Sequence, residues 1–196
     1  MNQALLISNI FLWLVVLGLV LVVWALARQI GVLYERVAPM GALMIDQGPK
    51  VGEKAPSFML KAINGAAVSI GTQLGRGQLL FFLSPTCPVC KKLLPVIRSI
   101  AASERTWLDI VLASDGDPEE HKQFYVKADL GIFPYVLSTE LGMTYQISKL
   151  PYAVLIDEHG LIRAKGLVNS REQLESLFVA KEAGVASIQE FINQRA

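Results

Sequence analysis

Sulfur and imidazole are scarce in this chain: its 196 residues hold two cysteines and two histidines. A tetrahedral structural zinc site takes about four ligands, whereas the lone Cys87-x-x-Cys90 pair offers two. His121 and His159 have no ligand spacing to that pair or to each other, which argues against zinc and copper alike. Covalent haem would need a histidine directly after Cys90, where Lys91 stands. No metal or cofactor is therefore expected. An excess of one charge is missing too. The net charge is +1, so nothing points to nucleic acid, and Lys91 and Lys92 are too few for a basic patch and serve better to tune a thiol. Repeats and low-complexity tracts are absent, and no charged side chain precedes Arg28.

What is present is the pairing itself. Thr86-Cys87-Pro88-Val89-Cys90-Lys91-Lys92 follows the strand-like run Leu79 to Ser84. Two cysteines alone could be small buried hydrophobes. Their i, i+3 spacing at a strand-to-helix junction says more. With Cys87 as N-cap and Pro88 in the first helical position, where its missing N–H costs nothing, the Cys90 N–H can point at the Cys87 sulfur. The free N–H groups and positive dipole end of the helix favour a thiolate there. The same spacing brings both sulfurs onto one helix face.

Hydrophobic residues make up 53% of the chain, an excess concentrated at the N-terminus. From Ile10 to Ala27 every residue is apolar or glycine. At about 1.5 Å per residue, this run together with Ala4 to Asn9 covers a bilayer core of about 30 Å. Trp13 and Trp24 lie toward its ends, as interfacial aromatics do. Ala25-Leu26-Ala27 fits a signal-peptidase pattern, but the run is too long and lacks a basic leader, so an uncleaved anchor over residues 1–27 is expected. Arg28 and Arg36 follow the span and argue for a cytoplasmic C-terminal domain. A large domain can translocate regardless of such charges, and a tethered redox pair is most useful in an oxidising compartment. The outside is chosen.

Residues 28–50, rich in proline and glycine, read as a juxtamembrane linker, 51–182 as one domain, and 183–196 as a helical extension with a last short helix from Ser187. Within the domain, Ser57 to Leu60 and Ala67 to Ile70 predict strands around the Asn64-Gly65 turn. Leu79 to Leu83 predicts a central strand buried on both faces, followed by a helix through Ile100 that Pro95 should bend. Leu108 to Ala113 reads as a strand, Asp117-Pro118-Glu119-Glu120 as a helix start, Tyr152 to Lys165 as a hairpin, and Ser170 to Gln173 as a capping box. His121 and His159 are expected to be solvated. The fold class is α/β, a mixed sheet covered on both faces and preceded by one transmembrane helix.

Val51 to Phe58, the CxxC after the first long strand, Pro95, and Leu150-Pro151-Tyr152 before the hairpin resemble membrane-tethered thioredoxin-like proteins of the redoxin type. Leu33 to Ala42 and CPVC extend that resemblance to accessory proteins of bacterial methylamine utilisation. The resemblance implies Cys87 as nucleophile, Cys90 as resolving thiol, Pro151 as a cis-proline, and Pro88, Val89 and Leu150 as substrate contacts. Without it, Pro151 is equally an ordinary strand-start proline. It also implies a single-pass protein of the bacterial inner membrane facing the periplasm. The implied client is an exported protein with cysteines, the methylamine dehydrogenase light chain, and a membrane or periplasmic redox partner resets the pair.

The chain departs from thioredoxins at Phe81, where they carry a buried carboxylate, and at Thr86, where they carry an aromatic. Deprotonation of Cys90 must then rely on water, on Glu53 or another acid, or be slow. Three function classes follow. The first is a thiol–disulfide oxidoreductase that forms or rearranges disulfides in its partner. The second is a redoxin-type peroxidase, although Leu80 stands where the Pro-x-x-x-Thr-x-x-Cys pattern wants proline. The third is a non-enzymatic assembly factor or metal-binding module.

Overall fold

The structure, a computed structural model, describes residues 2–36, 48–72 and 75–183. It divides into an N-terminal unit and a second unit beginning at Asp46. Among its described residues the N-terminal unit has one helix, α1 (Asn2–Arg36), whose segment Leu5–Trp24 has a mean hydropathy of 2.8 and is long and apolar enough to cross a membrane. Trp13 and Trp24 each stand 63% exposed, and the aliphatic residues between them are exposed as well. Backbone hydrogen bonds internal to a helix are what an apolar medium demands. Residues 28–36, expected to open the linker, continue this helix; the rest of the linker through Gln47 and the helix expected from Ser187 lie outside the described residues.

The second unit alternates strand and helix. A hairpin of β1 (Phe58–Lys61) and β2 (Ala67–Ile70) forms a small antiparallel sheet around the Asn64-Gly65 turn. The main sheet is built from β3 (Gly77–Phe82), β4 (Leu108–Ser114), β5 (Tyr135–Leu137), β6 (Tyr152–Ile156) and β7 (Ile162–Leu167), in the order β5-β4-β3-β6-β7. β3, β4 and β5 run parallel and β6 and β7 antiparallel. Among the described residues this unit has four helices: α2 (Pro88–Ser103), α3 (Pro118–Lys127), α4 (Thr139–Thr144) and α5 (Arg171–Ala183). This is the mixed, helix-flanked sheet that the thioredoxin-like resemblance implies.

The unbroken apolar run of β3 has its explanation in the sheet order, because the central strand is covered on both faces. The two-residue strand period divides its side chains between two cores. Leu79, Phe81 and Leu83 pack with Cys90, Leu93 and Ile97 of α2 and with Leu174 of α5. Leu80 and Phe82 pack on the other face with Ile70, Leu141 and Tyr145. Each of these large side chains, fully withdrawn from water, stabilises the fold by about 1.5–3 kcal/mol.

Two elements were not anticipated. β5 has three residues and α4 six, and both lie in a stretch without clear periodicity. β5 exists because the edge of β4 offers it hydrogen bonds over Leu112 to Ser114, and α4 starts where the Ser138 hydroxyl accepts the Leu141 N–H at 3.1 Å.

Candidate functional site

The site lies at the C-terminal end of β3. Leu83 leaves the strand, Ser84, Pro85 and Thr86 form a short turn, and Cys87 caps α2 with extended backbone angles, φ −80° and ψ 112°. Pro88 takes the first turn of the helix. The Cys90 N–H donates to the Cys87 sulfur at 3.1 Å, and the two sulfurs are joined as a disulfide. The turn is held by the Cys87 N–H donating to the Ser84 carbonyl at 3.1 Å and the Thr86 N–H to the Ser84 hydroxyl at 3.2 Å.

Burial separates the two sulfurs. Cys90 is fully buried in the core beneath α2, whereas Cys87 is half-buried between exposed Thr86 and exposed Pro88. Cys87 is therefore the more accessible of the two residues. α2 carries no acidic residue in its first turn, and Lys91 and Lys92 are exposed just beyond the pair, so the local field favours negative charge on a freed sulfur.

The sheet register brings in the third component. Phe82 pairs with Tyr152, so the residue before Tyr152 lies beside the end of β3. That residue is Pro151; the Leu150–Pro151 bond is cis, Pro151 is buried, and its carbonyl accepts the Val168 N–H at 3.1 Å. Leu150 stands 39% exposed and borders a groove of about 590 Å³ lined also by Leu83, Ser114, Met143 and Ile147. Val89 is half-buried on the first turn of α2. Thus the six residues singled out from the sequence fall on two neighbouring segments, 87–90 and 150–151.

Phe81 is fully buried on the same face as Cys90, so an apolar ring occupies the place of the thioredoxin carboxylate. Glu53 does not replace it. Its carbonyl accepts the Ile162 N–H at 3.0 Å, and Ile162 pairs with Ile156, at the end of β6 farthest from Pro151. A strand of that length puts Glu53 roughly 15 Å from the cysteine end of the sheet.

His121 corrects the sequence reading. Expected at a solvated surface, it is 2% exposed, with Nδ1 2.6 Å from the Tyr135 hydroxyl and Nε2 2.9 Å from the Asp115 carbonyl oxygen. The signal was its i, i+3 spacing to Phe124, which places both on the buried face of α3. Burial pushes the Tyr135 phenol well above its usual range, although a hydrogen bond with Ser114 acts against this. His159 is exposed in the β6–β7 turn as expected. Among the described residues no cluster of three or more His, Cys, Asp or Glu side chains is placed to hold a metal ion.

The AhpC/TSA family model matches residues 51–187. The methylamine utilization protein MauD of Methylorubrum extorquens is 50% identical over 195 residues, covering 98% of this chain and 94% of that protein. The MauD protein of Paracoccus denitrificans is 48% identical, covering 100% and 98%. Among solved structures, a putative thiol:disulfide interchange protein DsbE from Chlorobium tepidum superimposes with a TM-score of 0.61 at 20% identity, over 67% of this chain and 97% of that one.

Proposed function

The chain belongs to the AhpC/TSA family and to the MauD proteins of methylamine utilisation, and from that premise we propose that it is a membrane-anchored thiol–disulfide oxidoreductase acting in methylamine dehydrogenase maturation. The observation that carries this reading is a disulfide with one accessible and one buried sulfur, capping a helix beside a cis-proline. In the oxidising direction, a client thiolate attacks the Cys87 sulfur, the Cys87–Cys90 bond breaks, and Cys90 leaves as the thiolate. A second client thiolate then attacks the client sulfur of the mixed disulfide. The client leaves oxidised, and the pair remains as a dithiol until a membrane or periplasmic redox partner reoxidises it. Run in reverse, the same steps reduce or rearrange a client disulfide.

Pro151 has no N–H, so the Leu150 backbone, exposed Pro88 and half-buried Val89 are left to hold the client segment against Cys87. The client assigned is the methylamine dehydrogenase light chain. The pair would face the periplasm from a single-pass anchor in the bacterial inner membrane, where disulfides persist. A peroxidase reading is disfavoured because Leu80, at the position of that motif's proline, lies mid-strand and fully buried, paired to Val111 and Val154.

Replacing Cys90 by Ala in the full-length protein tests the proposal. In the reverse direction the Cys87 thiolate can then attack a client disulfide, but no Cys90 thiol remains to release it, so a covalent complex between Cys87 and the light chain should accumulate and disappear with reductant. Replacing Cys87 by Ser should abolish both the complex and light-chain maturation. Normal maturation in the Cys87→Ser strain at normal expression would favour the assembly-factor reading.

A further inference from the structure

Among the described residues of the second unit six large hydrophobic side chains stand exposed, and two of them, Met143 at 66% and Leu150 at 39%, border one groove. This is the groove of about 590 Å³ at the redox end of the sheet. It also takes in buried Phe82, Leu83 and Ala113 and half-buried Ile147. Phe82 packs with Leu141 of α4 on the face opposite Cys90, so the groove opens across the end of β3 from α2.

Its charged residues are Asp115 and Lys149, exposed and opposite in sign, so it carries no net charge. A groove of comparable size, about 510 Å³, is of another kind: Arg76, Arg98 and Arg105 line it with Asp109. That one reaches β4 at Leu108, roughly 20 Å along the strand from Ser114 at the redox end. The uncharged groove is continuous with the reacting pair at two points. Leu83 leads through the Ser84 turn to Cys87, and Leu150 precedes Pro151. A client segment held on the Leu150 backbone with its sulfur at Cys87 carries its next residues over this groove, about one per 3.3 Å of extended chain. An apolar side chain arriving there releases water from Met143, Ile147 and Leu150, whereas a carboxylate would lose its own hydration. Methionine, unbranched and polarisable, adapts to apolar partners of different shape.

We propose that this groove selects the client, a role that rests on the thiol-exchange reading above. It takes an apolar side chain, such as leucine, methionine or phenylalanine, that stands within about three residues of the client's reacting cysteine, and packs it against Met143, Ile147 and Leu150. The disulfide then serves cysteines with apolar neighbours in preference to those in polar or acidic segments.

The test is the rate at which short dithiol peptides reduce the Cys87–Cys90 disulfide of the full-length protein in detergent, the peptide cysteines being flanked on both sides by leucine, by serine or by aspartate. Each rate is divided by the same peptide's rate with a small disulfide, which removes differences between the thiols themselves. The leucine peptide should react about tenfold faster than the serine peptide, as expected for one apolar side chain withdrawn from water at an open site, and the aspartate peptide should be slowest. Met143→Ser should bring the leucine-to-serine ratio down to about threefold, since part of the apolar wall is gone. Gly142 also lines the groove, and a Cβ there meets no atom within 4 Å, so Gly142→Asp sets a carboxylate beside the groove without displacing protein atoms and should lower the ratio as well. A ratio near one in the parent, or a ratio unchanged in both variants, overturns the proposal and leaves the exchange chemistry standing. A parent protein that resists dithiothreitol and every peptide would instead refute the exchange chemistry itself.

Discussion

α2 and α3 begin alike and end up as different devices. Each has an N-cap with extended backbone and a proline at its start: Cys87 with Pro88, Asp117 with Pro118. Each cap side chain accepts a backbone N–H at 3.1 Å, Cys87 from Cys90 and Asp117 from Glu119. α3 then adds Glu119 and Glu120 in its first turn, so its positive end is answered by fixed negative charge, whereas α2 has no acid there. A finished cap stabilises a helix. An unfinished one leaves its field for a charge that comes and goes, which is the condition a thiolate leaving group needs.

The sharpest way to break this contrast is to give α2 the cap of α3. Cys87→Asp should keep the helix, since aspartate is a good N-cap, and abolish thiol exchange, as read by circular dichroism and by disulfide exchange with a thiol probe. The next largest effect lies at the other end of the sheet. Asp157, 1% exposed in its side chain, accepts the His159 N–H at 2.9 Å, the Leu161 N–H at 2.8 Å and Arg163 Nε at 2.6 Å. Asp157→Ala should cost about 2–3 kcal/mol in chemical denaturation, because two backbone N–H groups and the partly exposed Arg163 guanidinium lose their buried partner. Burial alone would raise the Asp157 carboxyl, but the Leu161, Arg163 and His159 hydrogen bonds and the Arg163 charge outweigh it and hold it below its ordinary value. Its contribution is therefore present above the unfolded carboxylate pKa of about 3.9 and lost as pH falls through the lower folded value. The variant's stability should lose that acid-side slope.

A smaller effect is expected from Asp117→Ala, which should lower stability by about 1 kcal/mol without removing the disulfide, measured by denaturant melts and thiol counting. The finest adjustment copies the first turn of α3 onto α2. Val89→Glu should raise the pKa of the freed Cys87 thiol by opposing the helix dipole with about 0.5 kcal/mol, a two- to threefold loss of thiolate in alkylation profiles against pH. An unchanged profile would show that the helix field does not set the reactivity of this sulfur.

Much of this was legible before the fold was known, and the failures share a cause. The cap geometry at Cys87 and the starts of α2 and α3 follow from three or four adjacent residues. β3 announces itself by an unbroken apolar run. β5 and α4 are too short for a period, and their stability comes from β4 and from the core around Leu141. His121 misled because a charged helix reads as solvated on average, while burial is decided face by face. Glu53 misled in the opposite way: it carries the right chemistry but sits at the wrong end of the sheet.

Sequence by itself determined the apolar span, the order of the longer strands and helices, and a dithiol at a helix start, because hydrophobic periodicity and capping act over a few neighbouring residues. Tertiary structure alone decided that Pro151 stands beside that dithiol, that one cysteine is buried and the other half-buried, and that the His121 imidazole meets the Tyr135 phenol in the core. Those relations join residues tens of positions apart. They exist only once sheet register and a shared, water-free core bring them together.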